Sequence, residues 1–240
     1  MVSISIVIPA YNEEKRLPQT LDRVVAYLSE RQWTAEVLVV NDGSRDQTAA
    51  LVLDYARRCP MVRLINNPGN RGKGYSVKNG MTQAQQDWVL FSDADLSTPI
   101  EEVEKLLAAV TRDQADGAIG SRALDRKLVT VHQSAFREYS GRFFNLVMRT
   151  LTGLPFADTQ CGFKMLRREA AHQVYRRVNI PGFGFDAEAL FIAKSLGYKV
   201  VEMPVRWANA EGTKVTLLNG VQAFTDLALV RWNQLRGLYR

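Results

Sequence analysis

Between residues 3 and 120, short apolar runs alternate with stretches whose apolar residues recur at helical spacing, and this alternation narrows the fold more than any other feature of the chain. Ser3 to Pro9, Val37 to Val40, Val62 to Ile65, Trp88 to Phe91 and Ala118 to Gly120 read as strands. Leu17, Leu21, Val24, Val25 and Leu28 mark one face of a helix between the first two. Ser44 with Gln47 reads as a capping box that opens a helix through about Arg58. Tyr75 to Ala84 reads as a helix after a glycine-rich turn. Thr98-Pro99-Ile100-Glu101 is a second capping box with proline at the first helical position, followed by Val103, Leu106, Leu107 and Val110 on an inner face. Strands this continuously apolar need cover on both faces, and helix-length connections make their neighbours parallel. The expected fold is therefore α/β, a mostly parallel sheet covered by helices.

Ligands on such sheets bind beyond the carboxyl ends of the strands. Four polar clusters fall there: Tyr11-Asn12-Glu13, Asn41-Asp42-Gly43-Ser44, Asn70-Arg71-Gly72-Lys73-Gly74 and Asp93-Ala94-Asp95. After about residue 121 the alternation lapses. Leu128 to Gln133 has no clear period, while Phe136, Tyr139, Phe143, Phe144, Val147, Met148 and Leu151 form a helical stripe. A helix from about Asp186 to Leu196 precedes a strand at Lys199 to Met203, and Leu217 to Leu238 is a further amphipathic segment.

Composition removes several classes. Of 240 residues, 46% are hydrophobic and 23% charged, which excludes disordered and collagen-like chains. No apolar run approaches the roughly 18–20 residues of a membrane-spanning helix. The opening Met1-Val2-Ser3-Ile4 has no basic n-region, so export is not expected. Cys59 and Cys161 are too few for a disulfide framework and are expected to be reduced thiols in a cytosol. Lysine and arginine number 31 against 25 acids, a net +6 that suits a nucleic acid, an anionic membrane, a phosphorylated ligand or solubility alone.

Asp93 and Asp95, two apart at the end of a strand, can turn their carboxylates to one side and suit Mg2+ or Mn2+, whose remaining ligands are water and phosphate. The plainer alternative is a solvated turn ahead of a helix. Asp42 is either an Asx-type turn or a carboxylate accepting from a base or ribose. Gly72-Lys73-Gly74 can offer amides and an ammonium to a diphosphate. It is neither a Walker A loop, since Asn67 stands where glycine is required, nor G-x-G-x-x-G, since residue 77 is Val77. Asp186 and Glu188 begin a helix and either complement its dipole or act chemically. Cys161 reads as a small buried residue, because neither His132 nor His172 is near it in sequence, and no zinc spacing is present. Arg122, Arg126, Lys127, Arg137, Arg142 and Arg149 outnumber the acids Asp125 and Glu138 between Ala118 and Thr150. Basic residues flanking an aromatic face suit an interfacial helix, or equally a core helix with a solvated back.

In this order the four clusters, with Val7-Ile8-Pro9-Ala10 ahead of the first, resemble the family 2 glycosyltransferases of GT-A fold. Gly120-Ser121-Arg122, Asp158-Thr159-Gln160-Cys161-Gly162-Phe163-Lys164, Phe185-Asp186-Ala187-Glu188, Val205-Arg206-Trp207 and Gly212-Thr213-Lys214 look like the polyisoprenyl-phosphate sugar transferases within that family. The resemblance spans residues 4 to about 215. It implies a nucleotide-sugar-binding half (1–120) and an acceptor-binding half (121–240) within one continuous domain. It also implies that Pro9, Tyr11, Glu13, Asp42 and Lys73 contact the nucleotide, with Asp42 on the base. Asp93 would face the ribose or the metal, and Asp95 would ligate the divalent ion. Arg122, Arg137 and Ser140 would hold the lipid phosphate, and Lys214 would approach the diphosphate. The family's usual Asp-Asp-Gly-Ser is Asn41-Asp42 here, and Thr213 stands where serine is more usual.

The activity implied is inverting transfer of a hexose, glucose from UDP-glucose being favoured, to a polyprenyl phosphate by a metal-dependent enzyme peripheral to the cytoplasmic face of a membrane. A phosphate acceptor, with a second pKa near 6, is largely ionised at neutral pH and asks for an arginine clamp more than for a strong base. Two other readings stand beside it. One is transfer to a saccharide hydroxyl with Asp186 or Glu188 as base, and the other is a non-catalytic nucleotide-sugar-binding module. Nucleic-acid binding is not expected, because the basic residues gather beside the acceptor segment.

Overall fold

Successive residues of the central strands enter opposite cores, which is why these strands read as unbroken apolar runs. Ile4, Ile6 and Ile8 join one buried cluster while Val7 joins the other, and Val37 and Val39 part in the same way from Leu38 and Val40. Each fully buried side chain of this size contributes about 1.5–3 kcal/mol. The structure, a computed structural model, describes residues 2–131, 145–182, 184–209 and 217–239.

Chain order is β1 (Ser3–Ala10), α1 (Leu17–Glu30), β2 (Thr34–Asn41), α2 (Thr48–Arg58), β3 (Val62–Asn66), α3 (Lys73–Gln83) and β4 (Trp88–Ser92). A 3-10 turn at Ile100–Glu102 leads into α4 (Val103–Asp113), then β5 (Gly117–Ser121), β6 (Val129–Val131) and α5 (145–152). β7 (Phe163–Arg167), α6 (Arg168–Arg177), α7 (Phe185–Ser195), β8 (Val200–Pro204), β9 (Trp207–Ala208) and α8 (Leu217–Leu235) follow. The main sheet has seven strands in the order β3-β2-β1-β4-β7-β5-β8. All neighbours in it are parallel except β7, which runs antiparallel to both β4 and β5. The GT-A-like expectation of a mostly parallel, helix-covered α/β sheet holds. A second, two-stranded sheet pairs β6 with β9, aligning Val129 with Trp207. Helices α1, α2 and α4 cover one face of the main sheet, and α3, α6, α7 and α8 cover the other.

Several boundaries differ from the sequence expectations, each for a local reason. Ser44 does not cap α2: its hydroxyl accepts the Asn12 amide at 3.0 Å, and Asp46 accepts the Thr48 amide at 3.0 Å where the helix begins. The second capping box opens a 3-10 turn, so α4 proper starts at Val103. Strand β7 and helix α6 were not expected. Arg137, Ser140 and Lys214, together with His132, Phe136, Tyr139, Arg142, Phe143, Phe144 and Thr213, lie outside the described residues. No described helix is long and apolar enough to cross a membrane.

Candidate active site

Because β1, β2 and β4 are parallel, residues 11–13, 41–44 and 93–95 emerge at the same edge of the sheet, and the 70–74 loop joins them as it enters α3. Asp42 is buried and both of its oxygens are engaged. Oδ1 accepts from Asn67 Nδ2 (2.8 Å) and the Arg71 amide (2.9 Å), and Oδ2 accepts the Gly72 amide (2.8 Å). It therefore sets the path of the glycine-lysine loop. Glu13 holds Arg16 in a two-pronged pair (Nε 2.8 Å, terminal nitrogen 2.7 Å), and Arg16 stands 3.9 Å from Asp95 Oδ2. Pro9 and Tyr11 are half-buried at the end of β1, Pro9 in register with Val40.

Lys73 Nζ lies 2.7 Å from Asp93 Oδ1, with Phe91 beneath it at 5.3 Å from the ring centroid. Burial pulls its pKa down, but Asp93, Asp186 and Asp95 more than offset this, so the ammonium is held charged. The carboxylate of Asp93 packs on the backbone of Gly162, where a Cβ would stand only 1.9 Å from Oδ2. Asp95 Oδ1 accepts the Ser97 amide at 3.0 Å. The chain turns there through Leu96, whose φ of 46° lies in the left-handed region that a leucine adopts only at a cost of about 1–3 kcal/mol.

Behind Lys73 sits a buried pair. Lys164 donates to Asp186 Oδ1 at 2.5 Å and to the Cys161 carbonyl at 2.5 Å, and both charged side chains are nearly sealed from solvent. Burial raises the Asp186 pKa, and Lys164 and Lys73 pull it part of the way back. On the β5 side, Arg122 makes a two-pronged pair with Asp158 (Nε to Oδ2 2.6 Å, terminal nitrogen to Oδ1 2.8 Å) and stacks on Trp207 at 5.3 Å. Burial acts against the Asp158 carboxylate, but the guanidinium wins and holds its pKa at about 2. Glu202 fixes this carboxylate's backbone by accepting the amides of Ala157 (2.8 Å) and Asp158 (2.7 Å). Trp207 is placed by its neighbour: buried Glu102 accepts from Arg206 Nε at 2.5 Å and from the Arg206 amide at 3.2 Å.

The result is a cluster of alternating sign, with Asp93, Asp95, Asp158 and Asp186 facing Lys73, Lys164, Arg122 and Arg16. The side chains of Lys73, Arg122, Asp93 and Asp95 each keep between 25% and 30% of their surface open, so they can also meet a ligand. Asp95 and Asp93 are hard oxygen donors, and among the described residues no group of three His, Cys, Asp or Glu side chains gathers to hold a metal ion. That donor set fits Mg2+ or Mn2+, which take one or two protein carboxylates and complete their shell with water and phosphate, and it does not fit zinc. Cys161 is buried and its thiol is pushed up to about 11, which agrees with the reading of it as a packing residue.

Glu188 is not part of the cluster. Its carboxylate accepts the amides of Asn179 and Ile180 and the hydroxyl of Tyr239. Sequence reading had no role for Arg16, Glu102, Asp158, Lys164 or Glu202. Arg16 pairs with Glu13 three residues away, but the charged partners Asp186, Arg122 and Arg206 of Lys164, Asp158 and Glu102, and the 157–158 backbone that Glu202 holds, are 22 or more residues away, so no local spacing announces those four. The one available signal was a lysine inside the otherwise apolar Phe163-Lys164-Met165-Leu166, since a buried charge requires a partner.

The family model of glycosyl transferase family 2 matches residues 5–175. The dolichyl-phosphate beta-glucosyltransferase of Mus musculus is 38% identical, over 99% of this chain and 77% of the mouse protein. The protein of the same name from Homo sapiens is 36% identical over 99% of this chain and 77% of its own length. Among solved structures, glucosyl-3-phosphoglycerate synthase from Mycobacterium tuberculosis, in complex with Mn2+, UDP-glucose and phosphoglyceric acid, superposes with a TM-score of 0.69 at 18% identity, covering 95% of this chain and 79% of that one. Mannosyl-3-phosphoglycerate synthase from Rubrobacter xylanophilus gives 0.70 at 17% identity, covering 98% and 74%.

Proposed function

Since the chain belongs to glycosyl transferase family 2, we propose that it moves glucose from UDP-glucose, with inversion, to the phosphate of a polyprenyl carrier of the dolichyl type. The names of the similar proteins support the sugar and the acceptor, and a structural neighbour holding Mn2+ and UDP-glucose supports the donor and the ion. One observation favours a phosphate over a saccharide hydroxyl as acceptor. Asp186 and Glu188, the bases a hydroxyl would need, are both engaged, Asp186 by Lys164 and Glu188 by two amides and Tyr239. A phosphate monoester arrives already ionised and asks for cations instead.

Lys73 would bind the donor diphosphate from the loop that Asp42 shapes, and Asp93 orients its ammonium. Asp95 and Asp93 would hold a divalent ion, which when bound supplies positive charge to the leaving diphosphate. Pro9, Tyr11, Glu13 and Asp42 would line the nucleoside, with Asp42 offering the remaining lone pair of Oδ2 to the base. Arg122 would bind the acceptor phosphate: Asp158 engages its Nε and one terminal nitrogen, and a guanidinium with five N–H donors keeps others for a ligand. Arg137 and Ser140 at the acceptor, and Lys214 at the diphosphate, enter this proposal on the sequence resemblance alone.

The protein would work at the cytoplasmic face of a membrane as a peripheral protein. On α8 the exposed Leu229, Trp232 and Leu235 form an apolar strip flanked by Arg231 and Arg236, a pattern suited to an anionic interface. To test the proposal, purified protein is incubated with radiolabelled sugar nucleotides, Mg2+ or Mn2+ and polyprenyl phosphate. Label from UDP-glucose should enter the organic phase. Label left in water for every donor would defeat the reading.

A further inference from the structure

The two carboxylates in the first turn of α7 point into different surroundings. Asp186 belongs to the charge cluster. Glu188 reaches back to a separate segment, where Oε2 accepts the amides of Asn179 (3.0 Å) and Ile180 (2.8 Å) while Oε1 accepts the Tyr239 hydroxyl at 2.7 Å. An acid that merely complemented the helix dipole would not need to leave its own helix. Burial raises the pKa of Glu188, and these donors draw it part of the way back.

The segment it holds lies directly against the glycine-lysine loop. The Gly74 amide donates to the Pro181 carbonyl at 2.7 Å, and Lys78 of α3 donates to the Val178 carbonyl at 2.7 Å. A Cβ at Gly74 would stand 2.4 Å from the Ile180 carbonyl oxygen, so only glycine allows the two backbones to approach this closely. Lys73 sits within this contact. Displacing residues 179–181 therefore displaces the peptide units on either side of it. The brace behind Glu188 is also fixed: Tyr239 is buried, receives a hydrogen bond from Asn233 Nδ2 at 3.3 Å and packs edge-on against Phe191.

We propose that Glu188 is a positioning residue for Lys73, acting through the 179–181 backbone and braced from behind by Tyr239. The inference rests on the reading that Lys73 meets the donor's diphosphate. A carboxylate is the fitting group here because it can accept from two amides on one oxygen and a hydroxyl on the other. Glutamine preserves the first interaction and alanine preserves neither.

The test is UDP binding by calorimetry, with donor and acceptor KM measured on the same proteins. Glu188→Ala should weaken UDP binding and raise the donor KM about tenfold, leaving the acceptor KM within about twofold. Glu188→Gln should restore affinity to within about threefold of wild type, and Tyr239→Phe should weaken it about threefold. Thr152→Ala serves as the control for stability alone, because among the described residues that buried hydroxyl bonds only within α5 and its loop. The inference is overturned if Tyr239→Phe or a folded Glu188→Ala binds UDP as wild type does. It is equally overturned if Thr152→Ala, with a comparable loss of Tm, weakens UDP binding as much. If the wild-type protein binds neither UDP nor GDP, the proposed function fails first and the inference fails with it.

Discussion

A guanidinium that closes on a buried carboxylate from two sides keeps it ionised where water cannot, and Asp158 depends on Arg122 for this. A folded-state pKa of about 2 against an ordinary 3.8 means that the folded protein gives up this proton more readily than the unfolded chain. The stabilisation, roughly 2 kcal/mol, is complete above the unfolded value and disappears as pH falls through about 4 toward about 2. Asp158→Asn should therefore be less stable than wild type at neutral pH, with the gap in urea midpoint narrowing over that acid window. Parallel acid limbs for the two proteins would contradict the assignment. At Asp95 the expectation concerns activity. Removing the carboxylate in Asp95→Ala should reduce transfer by at least about a hundredfold, and chelation should do the same to wild type. Full activity in chelator would remove the metal role.

Strand β7 shows most clearly how an element can build a site. It enters between β4 and β5, antiparallel to both, and delivers Lys164 beneath Phe91 and Gly162 against Asp93. Gly162→Ala would force a methyl group into the space of the Asp93 carboxylate, at a cost of about 1–3 kcal/mol in stability. It should also separate Asp93 from Lys73 and reduce kcat at least about tenfold. A Gly162→Ala enzyme with wild-type kcat would show that the close approach is unimportant.

The same strand marks where sequence reading stopped. Strands β1 to β5 announce themselves because both of their faces are apolar. β7 carries a buried lysine whose partner, Asp186, lies 22 residues on, so neither its period nor its composition marks it as a central strand. The motif residues at the ends of β1, β2 and β4 could be placed from the expected parallel order alone. The approach of Arg16 to Asp95, the pairing of Asp158 with Arg122 and the hold of Glu202 on the 157–158 backbone could not, because those contacts exist only after the sheet closes. Asp42 was legible as a candidate site residue, but its amide partners in the 71–72 backbone were not, since backbone amides carry no sequence signature.

The molecule as a whole joins a polar cluster of balanced charge to an amphipathic helix that ends in the turn holding Tyr239. Trp232 is 58% exposed and Leu235 81%, values that a helix packed only for stability would not require. Trp232→Glu should lower sedimentation with anionic vesicles about tenfold without lowering Tm, because the side chain is not part of the core. Unchanged sedimentation would contradict the proposed membrane contact of α8. On the proposed function the basic residues would serve distinct ends: Lys73, paired with Asp93, at the donor diphosphate, Arg122, paired with Asp158, at the acceptor phosphate, and Arg231 and Arg236 at headgroups.

The decisive comparison is between acceptors offered to one enzyme preparation with labelled UDP-glucose: polyprenyl phosphate, the matching polyprenol without phosphate, and a soluble oligosaccharide. With Arg122 clamped by Asp158, and with Asp186 and Glu188 both engaged, transfer should occur to the phosphate and to neither hydroxyl acceptor. Transfer to the polyprenol or the oligosaccharide at a rate matching the phosphate would contradict the account.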